Sequence, residues 1–142
     1  MRICTHKGLV IAVLTRNEHC PPHVHVGCDQ WDARFEFSFW HQGVRLWDVV
    51  PARNQPTAAL LEQLRLLIMR PAHLRKAREV WWIAMQSVCL MNQRWDTKTG
   101  EVVMPSGEQR NAPMILAAYF DARTYTTALT LAGQAESVEI EL

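Results

Sequence analysis

The sequence predicts an α+β protein: an N-terminal antiparallel β-meander with two helices packed on it, then a β-rich C-terminal extension. Three observations predict it. Between Leu9 and Val50 the chain runs apolar or alternates polar and apolar with period two, broken by turn-forming clusters. From Thr57 to about Met91 the apolar residues change to helical spacing. From Met114 to Leu142 β-branched and aromatic runs return.

The elements follow in order. Leu9 to Thr15 is continuously apolar and fits a buried strand. Asn17 to Pro22 reads as a loop, because two successive prolines remove two backbone donors. His23 to Val26 and Trp31 to Phe39 alternate, and Gly27-Cys28-Asp29-Gln30 between them suits a hairpin turn. A two-residue turn at Cys28-Asp29 would pair Val26 with Trp31, His25 with Asp32, Val24 with Ala33 and His23 with Arg34. That register keeps apolar residues on one face and polar residues on the other. His41-Gln42-Gly43 reads as a second turn and Val44 to Val50 as the next strand. Thr57 is a plausible N-cap for a helix reaching Met69, with Leu60, Leu61, Leu64, Leu67 and Ile68 on one stripe. Arg70-Pro71 breaks that helix and Pro71 starts another, which runs to about Met91. Asn92 to Asn111 is polar and turn-rich, with a short strand at Glu101-Val102-Val103. Met114 to Phe120, Tyr125 to Leu131 and Val138 to Leu142 are the final strands. The expected organisation is residues 1–91 as the meander and helices, 92–112 as a linker, and 113–142 as the extension, packed together as one domain.

Composition sets bounds. A chain of 142 residues, 49% hydrophobic, can build a core of its own. Fifteen basic and fourteen acidic residues give a formal net charge of +1, which excludes a general pull toward nucleic acid or acidic membrane. No apolar run is long enough to span a bilayer, and no secretion signal is recognisable. The expectation is a cytoplasmic protein whose four cysteines (Cys4, Cys20, Cys28, Cys89) are free thiols.

The functional signal is His19-Cys20-Pro21-Pro22-His23-Val24-His25. Strand side chains alternate, so His23 and His25 share a face and can present two imidazoles to one ion or substrate. The prolines could fold His19 back toward them. Asp32, across from His25, could fix its tautomer. Arg34, beside His23, could hold an anion. Glu18 is another nearby acid. Three readings stay open. In a metal site, His19, His23 and His25 would bind a divalent ion, with water or Asp32 fourth. In an acid–base or anion site, a histidine would move protons beside Arg34. In a structural or partner-contact role, the imidazoles would shape a turn or an interface.

The run Glu18-His19-x-Pro21-Pro22-His23-x-His25-Val26, after an apolar strand and before a hairpin, resembles the signature of the bacterial family known as domain of unknown function 4160. The similarity covers about residues 8–84, including the two helices. The resemblance implies strands followed by two helices, and no established reaction. It also implies a small accessory protein, one half of a toxin–antitoxin-like or mobile gene pair.

Other features have blander readings beside the sharp ones. Cys20 and Cys28 flank the histidines, but their spacing matches no standard zinc pattern. Arg65, Arg70, His73, Arg75, Lys76 and Arg78 make the helices locally basic, which suits a nucleic-acid surface or simply a solvated face. Trp81 and Trp82 point about 100° apart on a helix, so one of them lies outside the core stripe, at a dimer or partner contact. No Gly-rich phosphate loop or nucleophile elbow is present. The leading expectation is an interaction or accessory protein with a histidine-rich ligand or contact site, acting as a homodimer or with a small partner protein. The alternatives are a small hydrolase or nuclease-like enzyme using the histidines, with or without metal, and a nucleic-acid binder through the basic helices.

Overall fold

A computed structural model describes residues 1–103 and 112–142. The chain forms two compact units, Met1–Gln86 and Ser87–Leu142. The fold is α+β and mostly sheet.

The first unit begins with five antiparallel strands in chain order: β1 (Arg2–His6), β2 (Leu9–Ala12), β3 (His23–Gly27), β4 (Asp32–Glu36) and β5 (Arg45–Val50). The strand β1 was not anticipated. Its turn residues, Lys7 (φ 50°) and Gly8 (φ 79°), both adopt the left-handed conformation that two-residue hairpins need. Lysine rarely takes that conformation, so the turn has no strong sequence signal.

Helices α1 (Ala58–Ile68) and α2 (Pro71–Met85) follow. Thr57 caps α1, its side chain accepting from the Leu60 N–H at 3.2 Å, and Pro71 opens α2 as expected. The helix α2 ends at Met85, short of the expected Met91, because Gln86 turns left-handed (φ 50°). Leu61, Leu64, Ile68, Leu74, Ala77 and Trp81 are buried from the helices. Val24, Val26, Ala33 and Phe35 are buried on the apolar sheet face, with Phe37 and Phe39 beyond β4. Trp82 is only half-buried, as the 100° offset from Trp81 requires.

Arg78 is the exception in this core. It is 1% exposed, and its guanidinium donates to the carbonyls of Ser38 (2.8 Å) and His41 (2.8 Å) and to the Gln42 side chain (3.2 Å). It fastens the β4–β5 connection to α2.

The second unit contains a hairpin of β6 (Arg94–Asp96) and β7 (Glu101–Val103), inside the stretch expected to be a linker. It also contains a three-stranded sheet in the order β10 (Val138–Glu141), β9 (Thr126–Leu131), β8 (Ile115–Asp121). Ile115, Phe120, Leu129 and Leu131 are buried there. Residues 104–111 of the turn-rich Asn92 to Asn111 stretch lie outside the described residues.

Two further expectations are corrected. Cys20 and Cys89 are disulfide-bonded; only Cys4 and Cys28 are free. The β3–β4 register is displaced by two residues: His23 faces Glu36, Val24 faces Phe35, His25 faces Arg34, Val26 faces Ala33, and Gly27 faces Asp32. The loop spans Cys28 to Trp31, closed by the Cys28 N–H on the Trp31 carbonyl at 2.9 Å. A shift of two preserves which face each side chain occupies, so the hydrophobic pattern cannot distinguish the two registers. Among the described residues no helix is long and apolar enough to cross a membrane.

Candidate metal centre

The polar face of β3 and β4 carries the histidines. His23 lies at the start of β3 and is almost fully buried, with a side-chain exposure of 1%. Its ring stands edge-on to Trp47 (centroids 5.2 Å apart) and tilted against Trp81 (5.4 Å). Trp47 reaches the site through a β-bulge. Phe35 pairs with Leu46 and Arg34 with Asp48, which leaves Trp47 as the extra residue. His25, on the same strand face, lies 5.0 Å from the His23 ring.

Each imidazole is fixed through Nδ1. His23 Nδ1 lies 2.8 Å from the Pro21 carbonyl, and His25 Nδ1 lies 3.0 Å from Asp32 Oδ2. Both partners only accept here, so each Nδ1 carries the hydrogen and donates it. In the neutral rings both Nε2 atoms then hold lone pairs. These point toward Glu18: its Oε2 is 2.5 Å from His23 Nε2 and its Oε1 is 3.2 Å from His25 Nε2. Despite the short distances, neither buried Nε2 makes a hydrogen bond. Burial lowers the His23 pKa below the ordinary imidazole value, outweighing the Pro21 bond and the Glu18 charge that raise it. With both rings neutral, a carboxylate faces two nitrogen lone pairs in a nearly enclosed place, which electrostatics disfavours unless a proton or a metal ion lies between them.

Glu18, His23 and His25 each offer one ligand atom, all within 4.8 Å of one another. Metal–ligand bonds of about 2.0 Å place tetrahedral donors about 3.3 Å apart, close to the 3.2 Å between Glu18 Oε1 and His25 Nε2, while Glu18 Oε2 stands nearer to His23. Two imidazoles and one carboxylate suit zinc and related divalent transition metals.

The other expected site residues are placed as follows. His19 is exposed, its Nδ1 3.0 Å from the Cys20 carbonyl and its ring 6.0 Å from those of His23 and Trp47. It lies outside the converging group. Asp32 reaches His25 diagonally, from opposite Gly27. Arg34 does not face an open anion site. It makes a bidentate pair with Asp48, with Nε–Oδ1 at 2.7 Å and Nη2 on Oδ2, and lies 4.0 Å over the Trp47 ring. The Arg34 bond holds the Asp48 carboxyl below the usual carboxylate range.

Glu18 was visible in the sequence only as a nearby acid. Its place between the rings arises from the path of the loop of residues 13–22, which no periodicity encodes. The signal that could have found it is chemical: a histidine pair on a strand face needs a charge-balancing donor, and Glu18 is the carboxylate nearest in sequence before His23. Trp47 had no signal, since it would sit on the other face without the bulge. Of the basic helical residues, Arg65 is paired with Glu62 (2.6 Å) and Arg78 is buried.

No family model, no curated protein and no solved structure matches the chain, so its assignment rests on the site itself.

Proposed function

We propose that the first unit is a small accessory module that binds a divalent transition metal, zinc in the first instance, through Glu18, His23 and His25. One observation carries this reading: two imidazoles with their Nδ1 atoms held by acceptors turn both Nε2 lone pairs onto one carboxylate. The burial of His23 favours an internal ligand site over a contact surface, because a partner cannot reach that ring without opening the core. The resemblance to the domain of unknown function 4160 family supports the accessory role, since it rests on the same Pro-Pro-His-x-His residues.

The test is titration of the metal-free, untagged chain with zinc, followed by calorimetry and elemental analysis. One equivalent should bind to the wild type. Glu18→Ala and His25→Ala should each weaken binding at least tenfold. Equal binding by all three proteins would refute the site.

A second reading, metal-assisted hydrolysis, is favoured by the donor count. Three protein ligands leave a position for water, as catalytic zinc sites do, whereas structural sites are closed by four. Zinc-dependent turnover of an activated phosphodiester, lost in Glu18→Ala, would support it.

A further inference from the structure

We propose that Asp32 is a positioning residue that, through His25, sets which imidazole nitrogen the site presents to a metal. This rests on the metal-site reading above. The two histidines converge on Glu18 but are held by different means. His23 is held by a backbone carbonyl, that of Pro21, which no side-chain substitution removes. His25 is held by a side-chain carboxylate, Asp32 Oδ2, at 3.0 Å. A neutral imidazole has one N–H, and an acceptor at Nδ1 keeps it there and leaves Nε2 as the donor atom. A carboxylate does this more strongly than a carbonyl.

The fold makes room for this carboxylate. Asp32 pairs with Gly27, and a Cβ at position 27 would lie 2.7 Å from the Trp31 carbonyl oxygen and 3.0 Å from Asp32 Oδ1. Any side chain there would crowd both the loop and the carboxylate. Arg34 stands directly across from His25 but is engaged by Asp48 and Trp47. The Asp32 hydrogen bond goes to the imidazole. Asp32 is also 50% exposed, whereas Glu18 is 9% exposed, so the two acids differ in role: one lies inside the ligand group and the other behind it.

The experiment uses the full chain, metal-free, well above the ordinary imidazole pKa of about 6.5. Long-range nitrogen–proton spectra report the tautomer of each histidine in the wild type, Asp32→Ala and Asp32→Asn. Zinc titrations of the same samples report affinity. The wild type should show His23 and His25 both as the Nδ1–H form. In Asp32→Ala, His25 should shift toward the Nε2–H form while His23 is unchanged, and zinc affinity should fall about 10- to 100-fold. The unchanged His23 signal also shows that the variant is folded, and Asp32→Asn repeats the measurement at constant side-chain size. An unaltered His25 tautomer in both variants, or an altered tautomer with unaltered zinc affinity, would overturn the proposal. If the tautomer follows Asp32 but the wild type binds no zinc, the positioning of His25 stands and the metal reading falls.

Discussion

Arg34 and Asp48 show how single residues on this face are committed to one another. The guanidinium bonds the carboxylate through two nitrogens and lies over Trp47, so it braces the indole that walls the histidine site. Arg34 holds the folded-state pKa of Asp48 below its usual range. A depressed carboxylate pKa adds stability that is complete above the unfolded value of about 3.9 and is lost as pH falls through the lower folded value. Both groups are partly exposed, so the contribution is no more than about 1 kcal/mol. Urea unfolding should show the wild type more stable than Asp48→Asn at neutral pH, with the gap closing toward about pH 3. A gap that stays constant with pH would show that the pair adds nothing through its charge.

At the scale of elements, the helices are attached to the sheet by apolar packing and by one buried cation. Arg78 lies among apolar residues of α2, yet it supplies the donors for the Ser38 and His41 carbonyls. Arg78→Ala should destabilise the protein by about 3 kcal/mol, because it removes a fully buried side chain together with its hydrogen bonds to the Ser38 and His41 carbonyls. Arg78→Lys should recover only a minor part, since one ammonium cannot reproduce the fork of the guanidinium. Denaturant unfolding of the two variants checks both statements. The helices themselves were legible from apolar spacing, the Thr57 cap and Pro71. The basic stripe read from the same segment was not a uniform surface: Arg78, four residues after Leu74 and three before Trp81, sits by spacing on the buried face, and only its charge reads as surface.

For the whole molecule, the proposed metal binding would be linked to stability. A ligand that binds only the folded state adds about 2.7 kcal/mol at a hundredfold excess over its dissociation constant. Zinc should therefore raise the melting temperature of the wild type, a chelator should reverse the rise, and His25→Ala should show neither effect. A melting temperature indifferent to zinc would argue against the site. The reading of a β-meander, two helices and a β-rich extension followed from periodicity. The disulfide-bonded state of Cys20 and Cys89 did not, because no spacing pattern in the sequence marks either cysteine for pairing.

The sequence by itself determined the strand and helix pattern, the shared face of His23 and His25, and the polar company of Asp32 and Arg34, because side-chain period is a local property of the backbone. Tertiary structure decided the rest. A two-residue register shift, which leaves every face unchanged, placed Arg34 across from His25 and Asp32 diagonal to it. A bulge in β5 turned Trp47 onto the site. The loop before β3 carried Glu18 between the rings and left His19 outside. Each of these depends on contacts between segments distant along the chain, and no local pattern encodes them.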